Sequence, residues 1–421
     1  MNDSGRTSRT LQNARWLKEG ALPRVLDILS RDGEEARVIG GAVRNALMGL
    51  PPGDTDIATT ATPDEVIRHA GAAGFKPVPT GVDHGTVTVV AEGKPFEVTT
   101  LRVDVETYGR KATVRFGRDW KADAERRDFT MNALSVSADG AIYDYVGGLA
   151  DLEARRVRFI GDPAVRIAED YLRILRFFRF HAAYGEGPPD REGLHACIAA
   201  RDGLDQLSRE RVRMELLKLL VAKDAVSVLT VMADAGLLGS ILGGVPLVAD
   251  AGRMVELEAA FGLPADPVRR LAALTVFIVE DAERLMQRLR LANVEFERLV
   301  SMGQVWPRRI VPAGDALARP WLYRLGPEHF LDRVLLAWAR SGASPRDPEW
   351  RSLATLPQRW AAPVFPLKAA DFMQRGIEKG PALGAAIRAA EEEWIAADFP
   401  LDHETIEQIL ANTVRSAADR A

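Results

Sequence analysis

The sequence predicts an α+β fold in which a small head with a mixed β-sheet precedes a long, all-helical region. Residues 37–144 contain short β-rich runs that are bounded by Gly, Pro or Asp. From about residue 151 to the end, helical spacing of apolar residues dominates. Strands followed by helices in this way are typical of α+β folds or of separate domains.

Length and composition limit the possible classes of protein. The chain has 421 residues, which favours two to four domains, and its net charge of −4 argues weakly against nucleic acid as a partner. Arginines nevertheless cluster between Arg155 and Arg179. The single cysteine, Cys197, predicts a reducing compartment, which we take to be the cytoplasm. The apolar runs are too short to predict a membrane span, and the polar first ten residues do not predict a signal peptide.

The domain prediction has three parts. Residues 1–150 form the head, of which residues 1–10 are expected to be disordered. Residues 151–235 and 236–421 form two helical parts. Between residues 236 and 360 we expect tryptophans in the core and arginines on solvated faces, not a site. The predicted strands are ARVIGG, DIATT, GTVTVVAEG, KPFEVTTLRVDV, ATVRF and AIYDYV, and the predicted helices of the head are AVRNALMG and TPDEVIRHAGAAG.

Two aspartates in the stretch GDTDIATT are the first candidate site. Asp54 and Asp56 flank the start of a predicted strand, and the period of two places both carboxylates on one face. Paired carboxylates suit Mg²⁺, which takes its remaining ligands from water and phosphate. Two-metal phosphoryl and nucleotidyl transfer uses this arrangement. Considered alone, however, an Asp-x-Asp pair is more often an ordinary strand entry.

The residues around the aspartate pair favour a nucleotide site. Gly40 and Gly41 stand between a strand and a helix, where backbone N–H groups can approach an anion closely. Arg44 follows within one helical turn and is placed to contact phosphate. Glu97 is a candidate third carboxylate if its strand neighbours that of Asp56, and is otherwise an exposed strand residue.

Three blocks in this order resemble motifs of the class II nucleotidyltransferases, which include the CCA-adding enzymes and the bacterial poly(A) polymerases. VIGGAVRNALMG followed by GDTD is similar to their first motif, GGxVRDxLxG followed by DxD. DAERRDFTMNALS resembles their RRD motif, and RFIGDPAVRIAEDYLRILRFFRF resembles their neck helix. Together the blocks cover roughly residues 35–220, and a weaker likeness extends to GIEKGPALGAAIRAAEEEW.

The resemblance implies a polymerase-β-like nucleotidyltransferase head followed by a helical neck, body and tail. It implies Mg²⁺ as cofactor, ATP and CTP as substrates, and addition of C, C and A to the 3′ end of tRNA without a nucleic-acid template. Carried over by motif, Asp54 and Asp56 would bind the metal, and Gly41 and Arg44 would hold phosphates. Of the remaining matched residues, Arg127 would contact the nucleotide, Asp128 the ribose 2′-OH, and Asp170 and Arg173 the base edge, with Arg176 and Arg179 nearby.

The residues of the third block agree with this assignment. Asp170, Arg173, Arg176 and Arg179 are spaced three apart, so on a helix they would drift slowly across one side. An Asp acceptor beside an Arg donor can hydrogen-bond the Watson–Crick edge of cytosine or adenine, since both present an amino donor and a ring-nitrogen acceptor. The alternative is i,i+3 salt bridging along a solvent-exposed helix.

The sequence departs from the family pattern at two positions, and three alternative functions are compatible with it. Asn45 stands where the family usually has Asp, and Tyr108 stands where many relatives have Asp, in a region that resembles the loop needed for the switch from C to A. The rivals are a poly(A) polymerase that uses ATP alone, a partial enzyme that adds only CC or only A, and a catalytically silent RNA-binding protein.

Overall fold

The computed structural model describes residues 5–108, 111–304 and 314–418. The chain forms two compact units, Met1–Gly244 and Val245–Ala421. The helix Leu237–Leu242 belongs to the first unit, because it buries its leucines against the preceding helix. The predicted division near residue 235 stays a prediction. Division of the first unit near residue 150 stays a prediction.

An eight-stranded mixed sheet forms the centre of the first unit, in the order β1-β10-β9-β2-β3-β6-β5-β4. Two further strands, β7 and β8, pair with each other in a separate sheet. The strands are β1 (Arg6–Thr10), β2 (Ala36–Ile39), β3 (Asp56–Thr59), β4 (Lys76–Gly81), β5 (Thr86–Ala91), β6 (Lys94–Thr100), β7 (Arg102–Tyr108), β8 (Lys111–Phe116), β9 (Ser135–Val136) and β10 (Ala141–Tyr143).

Alternation of side chains explains how the sheet carries the site. Along β5 every second residue is buried, and along β6 Phe96 and Val98 point into the core while Glu97 is exposed. Strands β3 and β6 run parallel, and Asp56 stands opposite Glu97. Residues opposite each other in a parallel pair share a face of the sheet, so the expected neighbourhood of these two carboxylates is confirmed.

The expectation of disorder over residues 1–10 is wrong for residues 6–10. These residues form β1, which pairs antiparallel with β10 at the edge of the sheet. The Thr7 and Thr10 hydroxyls donate to the carbonyls of Ile142 and Gly140 at 3.1 and 2.9 Å. The strand lacks apolar alternation because backbone pairing and threonine hydroxyls, not burial, hold it.

Among the described residues of the first unit, six helices alternate with the strands of the sheet or directly follow them, and six more complete the unit. Thr62 and Glu65 cap one of them reciprocally, which confirms the capping box: the Thr62 backbone N–H donates to Glu65 at 2.7 Å, and the Glu65 N–H donates to Thr62 at 3.5 Å. The helices are α1 (Arg15–Lys18), α2 (Leu22–Leu29), α3 (Gly41–Leu47), α4 (Pro63–Ala72), α5 (Trp120–Glu125), α6 (Gly148–Glu153), α7 (Pro163–Glu169), α8 (Leu172–Tyr184), α9 (Arg191–Ala199), α10 (Arg209–Leu220), α11 (Ala225–Asp234) and α12 (Leu237–Leu242).

The second unit is helical, with an aromatic core around the buried Trp394 and Phe399. The longest helix, α17, is interrupted at Gly326, whose φ of 74° is not helical. The helices are α13 (Val248–Ala260), α14 (Pro267–Thr275), α15 (Val279–Leu289), α16 (Asn293–Gly303), α17 (Asp315–Ser341), α18 (Pro348–Arg359), α19 (Ala369–Gln374), α20 (Pro381–Ala396) and α21 (His403–Ala418).

Arginines of the second unit contradict the expectation of solvated faces. Arg269 is buried and donates to Asp332 at 2.9 Å and to Glu258 at 3.1 Å. Arg298 donates to the other oxygen of Asp332 at 2.8 Å. These guanidinium groups are buried because carboxylates from neighbouring helices match each charge.

Within the described ranges, no helix is both long and apolar enough to span a bilayer.

A buried cation ties the sheet to helix α5. The Arg37 guanidinium lies 3.5 Å from the ring centroid of Tyr143 and 4.1 Å from that of Trp120. Arg37 also donates to the Tyr145 hydroxyl at 3.0 Å and to Glu35 at 2.6 Å. The Trp120 indole donates to the second Glu35 oxygen at 2.9 Å. The start of α5 is thereby held against β2 and β10.

We predict that Arg37→Ala lowers the free energy of unfolding of the first unit by about 3 kcal/mol, because two desolvated cation–π contacts and two hydrogen bonds are lost. Arg118→Ala is the control, since it breaks a pair with Glu34 in which the arginine is 59% exposed, and it should cost at most about 1 kcal/mol. Urea denaturation followed by tryptophan fluorescence measures both. Equal losses would contradict the assigned role of Arg37.

Candidate active site

Three carboxylates stand together where β3 begins. Asp56 is the first residue of β3, Glu97 is its register partner on β6, and Asp54 precedes Asp56 in a bend after Gly53, whose φ is 72°. All three side chains are exposed. The sheet therefore presents an acidic edge that consists of Asp54, Asp56 and Glu97.

Electrostatics at the acidic edge favour a cation. Although Asp56 is accessible to solvent, desolvation by the surrounding protein raises its pKa, and the negative charges of Glu97 and Asp54 raise it further. Across the described ranges, no three His, Cys, Asp or Glu side chains are close enough together to hold a metal ion on their own. An open, all-oxygen donor set still fits Mg²⁺, which takes one or two carboxylates and completes its coordination with water and substrate phosphate.

The Gly40–Gly41 bend leads from β2 into α3 beside this edge. Gly40 has a φ of 68°, which disfavours any residue with a side chain. Its N–H donates to the Leu134 carbonyl at 3.0 Å. A Cβ atom at Gly40 would stand 3.6 Å from the Asn132 carbonyl oxygen. The positive φ therefore favours glycine at position 40, and the expected approach of an anion to these backbone N–H groups stays a prediction.

Arg44 is buried and is held by neutral groups. Its Nη1 donates to Asn132 Oδ1 at 2.6 Å, its Nη2 to Asn45 Oδ1 and to the Tyr184 hydroxyl at 2.8 Å each, and its Nε to Asn45 at 3.1 Å. Its guanidinium also lies 3.8 Å from the Tyr184 ring centroid. Desolvation lowers the pKa of Arg44. Asn45, the residue that departs from the family motif, is thus a direct partner of Arg44.

Arg126 and Arg127 share one buried carboxylate. Arg126 donates to Asp123 Oδ1 at 2.7 Å, and Arg127 donates to Oδ2 at 2.9 Å. Burial alone would raise the pKa of Asp123, but the charges of Arg127 and Arg126 outweigh it and hold that pKa below its usual range. Both arginines follow directly after α5. Their bonds to the two oxygens of Asp123 therefore fix the directions of the two guanidinium groups.

Asp128 joins the RRD block to α8. Its Oδ2 accepts from Arg176 Nε at 2.7 Å and from Nη2 at 2.5 Å. Its Oδ1 accepts from the Phe129 N–H at 2.8 Å and from Asn132 Nδ2 at 3.3 Å. Burial opposes ionisation, yet the charge and hydrogen bonds of Arg176 hold the pKa of Asp128 below its usual range. Asp128 is therefore an ionised acceptor at neutral pH.

The spacing predicted one continuous helix that carries Asp170 and the three arginines, but the structure breaks this helix at Asp170. Helix α7 ends at Glu169, Asp170 is extended, and α8 begins at Leu172. The Asp170 carboxylate accepts from the Leu172 N–H at 3.1 Å. An aspartate that bonds the backbone two residues on favours such a break over helix continuation.

Each charged residue around this break has a partner on a neighbouring segment. Arg211 of α10 donates to Asp170 at 2.5 Å. Arg173 contacts Glu169 and donates to the Arg166 carbonyl at 2.7 Å, and both contacts use Nη1. Glu215 of α10 accepts from Arg179. Asp170 and Arg173 are thus oriented by different partners and not by each other.

A single cleft of about 460 Å³ gathers most of the residues singled out from the sequence. This volume lies in the usual range for small-molecule sites. Six arginines and three aspartates line it, so the cleft suits an anionic ligand. The lining is formed by Gly40, Gly41, Arg44, Asp56, Arg126, Arg127, Asp128, Asn132, Asp170, Arg173, Arg176, Arg179 and Phe180.

Some predicted residues lie beside the cleft, and some lining residues were missed. Asp54 and Glu97 adjoin Asp56 but do not line the cleft. Arg126, Asn132 and Phe180 line it without having been singled out. Arg126 and Asn132 stand inside the quoted RRD block, and Phe180 ends the third block, so proximity to motif residues was the available signal. The Tyr108 side chain and residues 109–110 lie outside the described part.

An acidic sheet edge beside an arginine-lined cleft is the arrangement of a nucleotidyltransferase. Similarity to known protein families defines the class more closely. The family model of the poly A polymerase head domain matches residues 36–158. A second model, a probable RNA and SrmB-binding site of polymerase A, matches residues 189–250.

Relatives match nearly the whole chain. Mitochondrial CCA tRNA nucleotidyltransferase 1 of Mus musculus is 33% identical over 398 residues, which are 93% of this chain and 90% of that protein. The Danio rerio protein of the same name is 35% identical over 397 residues, which are 92% and 89% of the two chains. The crystal structure of the Bacillus stearothermophilus CCA-adding enzyme in complex with CTP has a TM-score of 0.73 and 27% identity, and the match covers 95% of this chain and 98% of that one. The chain belongs to the CCA-adding enzyme family.

We predict that Asp54→Asn stabilises the metal-free chain at neutral pH. Because the pKa of Asp56 is raised in the folded state, ionising Asp56 opposes folding, and stability falls as pH rises through that pKa. Removing the Asp54 charge should make this fall less steep. Thermal unfolding in EDTA from mildly acidic to neutral pH measures the effect.

Asp205→Asn is the matched control, since it makes the same change of charge at an exposed residue of the same unit. We also expect Mg²⁺ to raise the unfolding midpoint of the wild type more than that of Asp54→Asn. Identical pH dependence in wild type and Asp54→Asn would contradict the repulsion described at the acidic edge.

Proposed function

We propose that this chain adds C, C and A to the 3′ end of tRNA, using CTP and ATP without a nucleic-acid template and releasing pyrophosphate. The observation that carries the proposal is the cleft, which is bordered by Asp56 of the acidic edge and also lined by Asp170 and Arg173. The cleft therefore includes residues from both the proposed metal-binding edge and the proposed base-reading pair. Whole-length similarity to proteins named for CCA addition supports the same reaction.

In the proposed reaction, the tRNA 3′-OH attacks the α-phosphorus of the bound nucleotide in line. The new bond joins O3′ to the α-phosphorus, and the bond from that phosphorus to the bridging oxygen of the β-phosphate breaks, so that pyrophosphate leaves. Asp54 and Asp56 would hold Mg²⁺, with Glu97 as a third carboxylate. When bound, Mg²⁺ would supply charge stabilisation at the phosphates and activation of the attacking hydroxyl.

The arginines of the cleft provide the phosphate side of the proposed site. The Gly41 backbone would face the phosphates, since the Gly40 N–H already donates to the Leu134 carbonyl, and Arg127 would contact the nucleotide. Because the Nε and both Nη atoms of Arg44 already donate to neutral partners, we infer that Arg44 acts mainly through its charge. These three partners, Asn45, Asn132 and Tyr184, carry no charge, so the guanidinium charge can act on a triphosphate.

The base would be read by Asp170 and Arg173, with Arg176 and Arg179 behind them. Arg211 and Glu169 orient these two side chains before a base arrives. A carboxylate acceptor and a guanidinium donor match the amino donor and ring-nitrogen acceptor that cytosine and adenine share. Guanine and uracil present different patterns on this edge and would leave buried polar groups unpaired.

Substrate RNA and cellular location complete the proposal. We infer that the helical region holds the tRNA through backbone and shape contacts, which dominate the recognition of A-form RNA. We infer a cytoplasmic location from the single, buried cysteine, which suits a reducing compartment.

A poly(A) polymerase that uses ATP alone is the second candidate, because the head matches the family model of that name. The relatives that span most of the chain are instead named for CCA addition.

Incorporation of labelled CTP and ATP into a tRNA that lacks its last three nucleotides tests the proposal. With Mg²⁺ we expect C, C and then A, followed by an abrupt stop, and we expect Asp54→Ala to lose the activity because a metal ligand is removed. A long ladder of A would support the poly(A) polymerase. A stop after two C residues would indicate a partial enzyme, and no incorporation by the wild type would refute catalysis.

Arg173→Ala tests the base-reading role. We expect the preference for CTP over UTP, and for ATP over GTP, to fall about tenfold or more, because a donor to the base edge is lost. Arg166→Ala is the matched control, since Arg166 also pairs with Glu169, at 3.0 Å, but does not line the cleft. The ratios of kcat/KM measure the preference, and the role is wrong if Arg173→Ala leaves them unchanged.

A further inference from the structure

We propose that a second pocket of the first unit binds an unpaired base of the RNA substrate, a few nucleotides behind the reacting 3′ end. The inference rests on the proposed function, in which that end reaches the acidic edge. The start of α3 lines the cleft described above, whereas the end of α3 lines this pocket. The N-terminal pocket, as we call it, has a volume of about 440 Å³ and is lined by Thr10, Leu11, Gln12, Asn13, Ala14, Trp16, Ala46, Gly49 and Leu50.

The lining of the N-terminal pocket suits an uncharged group with a polar edge. Within the described part of the chain, no charged side chain lines it, whereas arginines line the cleft. Trp16 and Leu50 supply apolar surface, and Leu50 is 43% exposed. The side chains of Gln12 and Asn13 are exposed, and their amides make no hydrogen bond to another described residue. Amides both donate and accept, so they can pair with the edge of a nucleobase.

Trp16 contributes an unpaired donor to this wall. Its indole N–H is shielded from solvent and has no acceptor among the described residues. Buried donors are rarely left unpaired, because each loses its hydrogen bonds to water on folding. A carbonyl of a bound base would satisfy this donor after a small shift of the side chains around it.

Exposed cations next to the lining residues in sequence favour RNA over a peptide as the ligand. Arg15 is 87% exposed, Arg9 is 49% exposed, and Lys18 is also exposed. Arg15 pairs with Glu19 at 3.0 Å, and Arg9 pairs with Glu153 at 3.1 Å. Exposed pairs of this kind stabilise a protein little, so a phosphate can replace the carboxylates. A neutral, partly aromatic pocket beside exposed cations is how proteins hold single-stranded nucleic acid.

The position of the pocket selects the part of the RNA that can reach it. Leu50 precedes Asp54 by four residues, so their Cα atoms are at most about 14 Å apart. Stacked nucleotides repeat about every 3.4 Å along a strand, so this span corresponds to about four nucleotides. A base in the N-terminal pocket therefore belongs to the single-stranded 3′ end and not to the paired stem of the tRNA.

Both walls of the pocket are held in place without a ligand. On one wall, the Leu11 N–H and the Thr10 hydroxyl donate to the Gly140 carbonyl at 2.8 and 2.9 Å. On the other, the Leu50 N–H donates to the Asn45 carbonyl at 2.8 Å. Little backbone freedom is therefore left to lose when a base binds, and the exposed amides can still adjust to it.

The test measures the Kd of a fluorescently labelled tRNA that ends in CC, by anisotropy, with the full-length chain. Combined Gln12→Ala and Asn13→Ala should raise this Kd about three- to tenfold, because hydrogen bonds to the base are lost. The KM for ATP should stay at the wild-type value, since the cleft is unchanged. Gln206→Ala is the matched control, because it removes an exposed amide of the same unit outside the pocket and should leave the Kd unchanged.

A second substrate series shows whether a base is the group that binds. Each unpaired nucleotide at the 3′ end is replaced in turn by an abasic one. At one position, we expect the abasic change to weaken binding to the wild type and to add less than a further twofold loss in the Gln12→Ala, Asn13→Ala variant. The inference is overturned if the losses multiply at every position, or if the variant binds the intact tRNA as tightly as the wild type does.

The same measurements keep this inference apart from the proposed function. Binding of tRNA needs no chemistry, so the abasic series decides on the pocket even if the wild type adds no nucleotide. A wild type that binds the tRNA and incorporates neither CTP nor ATP would refute the proposed function alone.

Discussion

The ion pair between Asp128 and Arg176 is the contact on which the cleft depends. Asp128 belongs to the block that follows α5, and Arg176 lies on α8, so the pair closes one side of the cleft. Aromatic rings pack beside it, with the centroids of Phe129 and Phe159 4.9 Å apart and their planes tilted by 50°. Removing either charge would leave the other desolvated, which is strongly destabilising for a buried pair.

Sequence patterns predicted the members of the site better than their pairing. Each motif block contains residues of the cleft because each block includes the end of a strand or a helix. Such ends are determined by the local sequence, for example by glycines and capping residues. Which carboxylate meets which guanidinium depends on how α8 packs against α10. The contacts of Asp170 with Arg211 and of Arg179 with Glu215 therefore had no local signal.

Two further differences have the same physical origin. Spacing of three suggested one helix through Asp170, but a side chain that bonds its own backbone overrode the periodicity. In the second unit, the arginines at positions 269 and 298 were expected in solvent because most arginines are exposed. Burial became possible because neighbouring helices bring Glu258 beside Arg269 and bring Asp332, which is distant in sequence, beside both arginines.

The prearranged arginines of the cleft have a consequence for turnover. Arg127, Arg173 and Arg176 are already held by Asp123, Glu169 and Asp128, so their positions are set before any ligand arrives. Guanidinium groups fixed in this way do not distinguish a triphosphate from pyrophosphate, because both present the same kind of charge. We therefore expect the product to linger, to compete with the next nucleotide, and to drive the reverse reaction when it accumulates.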